Sequence, residues 1–144
     1  MLDLDLLPEP YAVCRLPAGS PVPAELLPAS SRPGARARSA AGDERSAPLT
    51  SITWTPVETS VICRADLAPA GAVVETGWRC LRMAGPLDLA LTGIMASVAA
   101  PLAEARVNIF AFSTYDTDYV LVPSVRLTEA VAALTAAGHR VTNL

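Results

Sequence analysis

Residues 78–144 predict an α+β fold with the element order β-α-β-β-α-β. Three observations carry the prediction. Trp78–Ala84 alternates over a strand length and is ended by Gly85-Pro86. Ile94, Val98 and Leu102 recur at helical spacing, with Ala105 extending the stripe. Two apolar runs, Val107–Ser113 and Tyr119–Val122, flank the polar hairpin Ser113-Thr114-Tyr115-Asp116-Thr117-Asp118.

The other elements follow in order. Asp88 or Thr92 is placed to cap the first helix. Pro101 lies late in that helix and lacks the N–H that would bond back near Ser97, so a kink or a lost bond is expected there. A second helix begins at Pro123-Ser124, carries Leu127, Val131 and Leu134 on one stripe, and stops at Gly138. Arg140–Thr142 is a short last strand. This order is the ferredoxin-like one: an antiparallel sheet with both helices on one face.

The first half is less regular. Tyr11–Leu16 reads as a strand opened by Pro8 and Pro10 and closed by Pro17. One helical turn fits at Ala24–Leu27. The segment 30–47, rich in Pro, Ser and Arg, reads as an exposed, mobile loop. Its arginines, Arg32, Arg36, Arg38 and Arg45, are blunted by Asp43 and Glu44. Ser51–Thr55 and Thr59–Cys63 alternate as a strand pair around Pro56-Val57-Glu58. Arg64–Gly77 reads as a connector with one turn at Ala65–Ala68. The expected organisation is therefore a trimmed unit of the same kind over 1–77 and a full unit over 78–144, although no residue-level repeat stands out.

Composition narrows the function classes. The chain has 144 residues and is 51% hydrophobic, enough for a sizeable core, and its net charge of −3 leaves no electrostatic footprint for nucleic acid. All 11 basic residues are Arg. Cys14, Cys63 and Cys80 have no metal-ligand spacing and read as reduced, buried thiols of a cytoplasmic protein. The N-terminal Leu2-Asp3-Leu4-Asp5 is acidic where a secretory leader needs base, and the apolar run around the first helix is interrupted by Gly93, Pro101 and Glu104, so neither export nor membrane insertion is expected. No phosphate-binding glycine loop occurs, and with His139 as the sole histidine no triad or histidine metal site is supported, so neither a cofactor nor enzyme activity is expected. His139 itself follows Gly138 and suits a charge–dipole role at a helix C-terminus.

The pattern from Trp78 onward resembles that of ACT domains. It comprises Trp78-Arg79, Gly85-Pro86-Leu87-Asp88, Thr92-Gly93-Ile94, Pro101-Leu102-Ala103, Ile109-Phe110, Ser113-Thr114-Tyr115, Thr117-Asp118-Tyr119 and Leu121-Val122. Together with Leu6-Leu7-Pro8 and Tyr11–Leu16, it is similar to the short tandem ACT proteins, bacterial relatives of the CASTOR arginine-sensor modules. The resemblance implies side-by-side sheet pairing, a homodimer, and a free amino acid bound at an interface between ACT-like units. It also implies the ligand contacts: Thr92, Gly93 and Ile94 in the glycine turn, Asn108 and Ile109 opening the next strand, and Ser113, Thr114, Tyr115 and Asp118 in the hairpin. Residue chemistry is consistent with this. Gly93 leaves helix-start amides open to a carboxylate, and Asp118 is placed to hold an ammonium. Asp116 reads as turn chemistry.

Two departures stand out. Arg106 occupies a position where the family commonly has glycine, and a positive φ there is strained. Ala96 and Ser97 occupy the first helical turn, where a guanidinium would need a carboxylate, which speaks against arginine as the ligand. The rival reading is a module that pairs with itself or another protein and binds no metabolite.

Overall fold

The computed structural model describes residues 1–28, 31 and 48–144. Nearly all of the loop expected at 30–47 lies outside the described residues. The chain forms two compact units, Met1–Pro10 with Gly77–Leu144 (unit 1) and Tyr11–Thr76 (unit 2).

In unit 1 the elements are the first part of β1 (Asp3–Pro17), most of β4 (Val73–Met83), α1 (Ile94–Glu104), β5 (Phe110–Ser113), β6 (Asp118–Pro123), α2 (Leu127–Ala136) and β7 (Arg140–Thr142). The strand order is β7-β1-β4-β6-β5. One core cluster joins Val98 and Leu102 of α1, Ala130 and Leu134 of α2, and the alternate strand residues Leu4, Leu6, Leu81, Met83, Val120 and Val122. Both helices therefore cover the same sheet face, as the ferredoxin-like order requires.

The division of the chain differs from a split after residue 77. The first ten residues belong with the C-terminal unit because Leu2-Asp3-Leu4-Asp5-Leu6 alternates as a strand should. Leu4 and Leu6 enter the core. Asp3–Asp5 pair in parallel with Arg140–Thr142, and Ala84 N–H donates to the Asp3 carbonyl at 2.8 Å. Pro8 and Pro10 do not open the strand; they lie inside it, between the stretch paired to β7 and the stretch paired to β3. Across the sheet, Asp5 accepts from Thr142 Oγ1 (2.6 Å) and Arg82 Nη2 (2.7 Å). Those two hydrogen bonds, the Thr142 one first, hold its carboxyl below the usual carboxylate range.

Both helices end in the same motif. In α2, Gly138 at φ 90° follows the last turn, with His139 N–H on the Leu134 carbonyl (3.0 Å) and Gly138 N–H on that of Thr135 (3.0 Å). In α1, Val107 N–H bonds the Leu102 carbonyl (2.8 Å) and Arg106 N–H that of Ala103 (2.9 Å), so Arg106 takes the glycine position at φ 56°. This use of Val107 shortens β5 from the expected Val107 start to Phe110. Arg106→Gly relieves a left-handed non-glycine residue and is expected to raise stability by about 1 kcal/mol, read from denaturant midpoints.

Unit 2 has a sheet of β2 (Ser51–Trp54), β3 (Glu58–Arg64) and the second part of β1, all antiparallel. Short 3-10 turns stand at Ala24–Leu26 and Ala65–Leu67, where single helical turns are expected from sequence. Ala12, Cys14, Leu16, Leu26, Val61 and Cys63 form its core. Burial pushes the Cys63 and Cys80 thiols up to about 12 and raises Cys14, so all three behave as small apolar residues rather than nucleophiles.

Strand register exposes a repeat between the units. Trp54 faces Thr59 across one hairpin and Ser113 faces Asp118 across the other. Thr55 N–H bonds the Glu58 carbonyl (2.9 Å), and Thr114 N–H bonds that of Thr117 (2.8 Å). In both turns the threonine hydroxyl donates to the same carbonyl. Val61 then matches Val120 and Ile62 matches Leu121. Val13 faces Ile62 as Cys80 faces Leu121, so Tyr11 corresponds to Trp78 and Arg15 to Arg82.

Candidate functional site

A cleft of about 170 Å³ in unit 1 lies between the loop that follows β4 and the β5–β6 hairpin. Three features stitch the loop to the hairpin. Leu87 N–H donates to the Asp116 carbonyl at 2.8 Å. Thr117, almost fully buried, donates its hydroxyl to the Met83 carbonyl at 2.7 Å. Gly85 sits where a Cβ would meet the Asp116 carbonyl oxygen and Thr117 Cβ, each at 3.1 Å, so a side chain there would push the two loops apart.

Ile94, Thr114, Tyr115 and Asp118, four of the residues expected to bind ligand, line this cleft together. Ser113 stands behind Asp118 and donates to its Oδ1 at 2.5 Å, which fixes the carboxylate and leaves Oδ2 free of that bond. Thr92 and Gly93 do not line the cleft, but Gly93 at φ 77° starts α1 and so places Ile94 at the wall. The expected capping by Thr92 or Asp88 does not occur. α1 has no side-chain cap, and Asp88 Oδ1 instead accepts from Ala90 N–H at 2.9 Å. The first intrahelical bond is Ser97 N–H to the Gly93 carbonyl (2.9 Å), which leaves the amides of Ile94, Met95 and Ala96 directed out of the helix start.

Asn108 and Ile109 lie elsewhere. Asn108 is exposed, and Ile109 packs against the core cluster. Both precede β5 at its far end from the hairpin, so neither lines the cleft. Leu87, Leu89 and Thr117 also line it without having been singled out from sequence; the hydrophobic Leu-Asp-Leu step after Gly85-Pro86 was the available signal.

The lining is one-sided in charge. Asp88, Asp116 and Asp118 contribute three carboxylates and no lining residue is basic. None of the three belongs to an ion pair among the described residues. Such a surface attracts a cationic group, while the open helix amides offer donors to an anionic one. Among the described residues no group of His, Cys, Asp and Glu has the arrangement of a metal site, and no helix is long and apolar enough to cross a membrane.

His139 has a different part from a charge at a helix end. It is buried and bridges three elements. Its Nδ1 accepts from Leu2 N–H at 3.2 Å, and its Nε2 faces the Ser97 carbonyl at 3.0 Å. That carbonyl is the one Pro101 cannot serve, so the bond expected to be lost near Ser97 is replaced by the imidazole.

Comparison with known proteins agrees with this fold. Residues 73–136 match the model of the ACT domain. The crystal structure of protein Atu0741 from Agrobacterium tumefaciens is 32% identical, covers 98% of this chain and 92% of its own, and superposes with a TM-score of 0.76. The regulatory subunit of aspartate kinase from Thermus thermophilus shares the fold at 16% identity, 95% coverage of each chain and a TM-score of 0.56. VC0802 from Vibrio cholerae does so at 15% identity, with 94% and 89% coverage and a TM-score of 0.63. Comparison with curated proteins finds no match. The chain belongs to the same family as Atu0741, and its residues 73–136 match the ACT domain.

Proposed function

We propose that this is a small, non-catalytic, cytoplasmic regulatory protein that binds a free amino acid at an interface between ACT-like units, as the CASTOR modules its residues resemble imply, with the unit 1 cleft supplying this chain's contacts. The observation that carries the reading is the meeting of Asp118 and the first turn of α1 at one cleft. Asp118 holds the ligand ammonium through its unspent oxygen, and the open amides at Ile94–Ala96 hold its carboxylate. Likeness in fold to an aspartate kinase regulatory subunit supports the regulatory part. The ligand acts by binding one arrangement of the protein better than another, since equal affinity for both shifts nothing.

The test is a thermal-shift screen against the twenty amino acids. A ligand at about a hundred times its dissociation constant adds about 2.7 kcal/mol, or roughly a 5–10 °C rise in melting temperature. Neutral and basic amino acids should outperform aspartate and glutamate, because three carboxylates line the cleft. Asp118→Asn should abolish the shift. It should barely move the unliganded melting temperature, because asparagine still accepts from Ser113. A full shift in Asp118→Asn would sink the site.

The alternative, a ligand-free interaction module, is favoured by the exposed apolar rim of the cleft, Leu89, Leu91 and Tyr115. It predicts no shift with any amino acid. Both readings include a second copy: β5 is the outer strand of unit 1, and pairing protects such an edge. Light scattering at micromolar concentration should therefore read more than the 15.0 kDa of one chain; a monomer mass would end this part of the reading.

A further inference from the structure

Unit 2 has a cleft of about 440 Å³ at the end of β1 against the β2–β3 turn, lined by Arg15, Leu16, Pro17, Val57, Glu58 and Val73, with Gly71 at its edge. Pro17 pairs with Glu58 and Arg15 with Ser60, so Arg15 and Glu58 are diagonal neighbours on one sheet face. Opposite charges so placed are within reach of each other. Yet neither side chain forms an ion pair among the described residues.

The repeat sharpens this. Arg82, the counterpart of Arg15, is spent on Asp5 at 2.7 Å. Thr117, the counterpart of Glu58, is spent on the Met83 carbonyl. Two positions that serve structure in unit 1 thus become, in unit 2, a pair of opposite charges at a cleft, with no ion-pair partner among the described residues. Beside them Val57 and Val73 are 82% and 57% exposed and give the cleft an apolar side.

We propose that this cleft is a second small-molecule site, taking a free α-amino acid with an apolar side chain. Arg15 holds the carboxylate, Glu58 holds the ammonium, and the side chain lies over Pro17, Val57 and Val73. Each charged end of a zwitterion then meets its opposite, and its apolar part covers exposed valines. The assignment does not depend on the unit 1 cleft.

Titration calorimetry with leucine, valine and phenylalanine tests it, on the wild type and on Asp118→Asn, which disables the unit 1 cleft. Saturable heat is expected in both. Arg15→Gln and Glu58→Gln should each weaken binding roughly tenfold or more, with unliganded melting temperatures unchanged. Leucinamide, which has no carboxylate, should bind the wild type more weakly than leucine and should be insensitive to Arg15→Gln. Loss of all heat in Asp118→Asn would overturn the proposal, as would leucine binding that neither Arg15→Gln nor Glu58→Gln alters. So would self-association that Arg15→Gln abolishes without any amino-acid heat, since the patch would then be a contact between copies.

Discussion

A fragment that starts at Gly77 is expected to stay unfolded, although it contains every element of the βαββαβ order. The missing piece is the first half of β1. Leu4 is fully buried and Leu6 nearly so, and both sit in the cluster that holds the two helices on the sheet. Burying one leucine contributes about 1.5–3 kcal/mol, and a domain of this kind is stable by only about 5–15 kcal/mol in all. Removal also strips the partner from β7, whose Arg140 N–H donates to the Leu2 carbonyl at 2.9 Å, and the acceptor from Ala84 N–H. Circular dichroism and an amide NMR spectrum of 77–144 should show a collapsed, poorly dispersed chain. Leu4→Ala in the full chain gives a graded version, with an expected loss of about 2–5 kcal/mol. A cooperative melt of the isolated fragment would overturn the assignment of residues 1–10 to unit 1.

That strand also marks where the sequence was legible and where it was not. The C-terminal elements were readable because their periodicities are clean. The stripe Ile94–Val98–Leu102 packs on the core and Arg140–Thr142 is a strand at the expected residues. The alternation of residues 2–6 is equally clean. Two prolines a few residues on, however, mask the continuity of the strand. Pro8 and Pro10 are tolerated because they fall between the β7 and β3 registers. The duplication was hidden for a different reason. The leading strands and the hairpins of the two units are separated by different numbers of residues, so no single offset aligns both, and only cross-strand partners reveal the match.

At the site, the hairpin residues were legible because turn chemistry is local. Ser113, Thr114 and Asp118 are a few residues apart and meet by necessity. The loop after β4 was only partly so. What places Leu87 and Leu89 at the cleft is the close approach of Gly85 to Asp116 and Thr117, a tertiary fact. Asn108 and Ile109 were expected among the ligand contacts chiefly by likeness to other ACT domains, and they do not line this cleft because they precede β5 at its end far from the hairpin.

His139→Leu is expected to destabilise the protein by about 1–3 kcal/mol, because leucine fills the space of the ring but pairs neither group it serves. For a chain of this length that is roughly a 3–10 °C drop in melting temperature. The Leu2 N–H on Nδ1 sets the tautomer: the ring proton then sits on Nε2 and points at the Ser97 carbonyl. Pro101 is the reason that carbonyl needs a partner from outside its own helix. The two substitutions should therefore be coupled. Pro101→Ala returns an N–H to the helix and lets Ser97 bond within it, so His139→Leu in that background should cost about 1 kcal/mol less than in the wild type. The remaining penalty belongs to Leu2 and the strand it leads. If the two costs simply add, the imidazole is not standing in for the bond that proline removes, and its burial must be explained by the Leu2 contact alone.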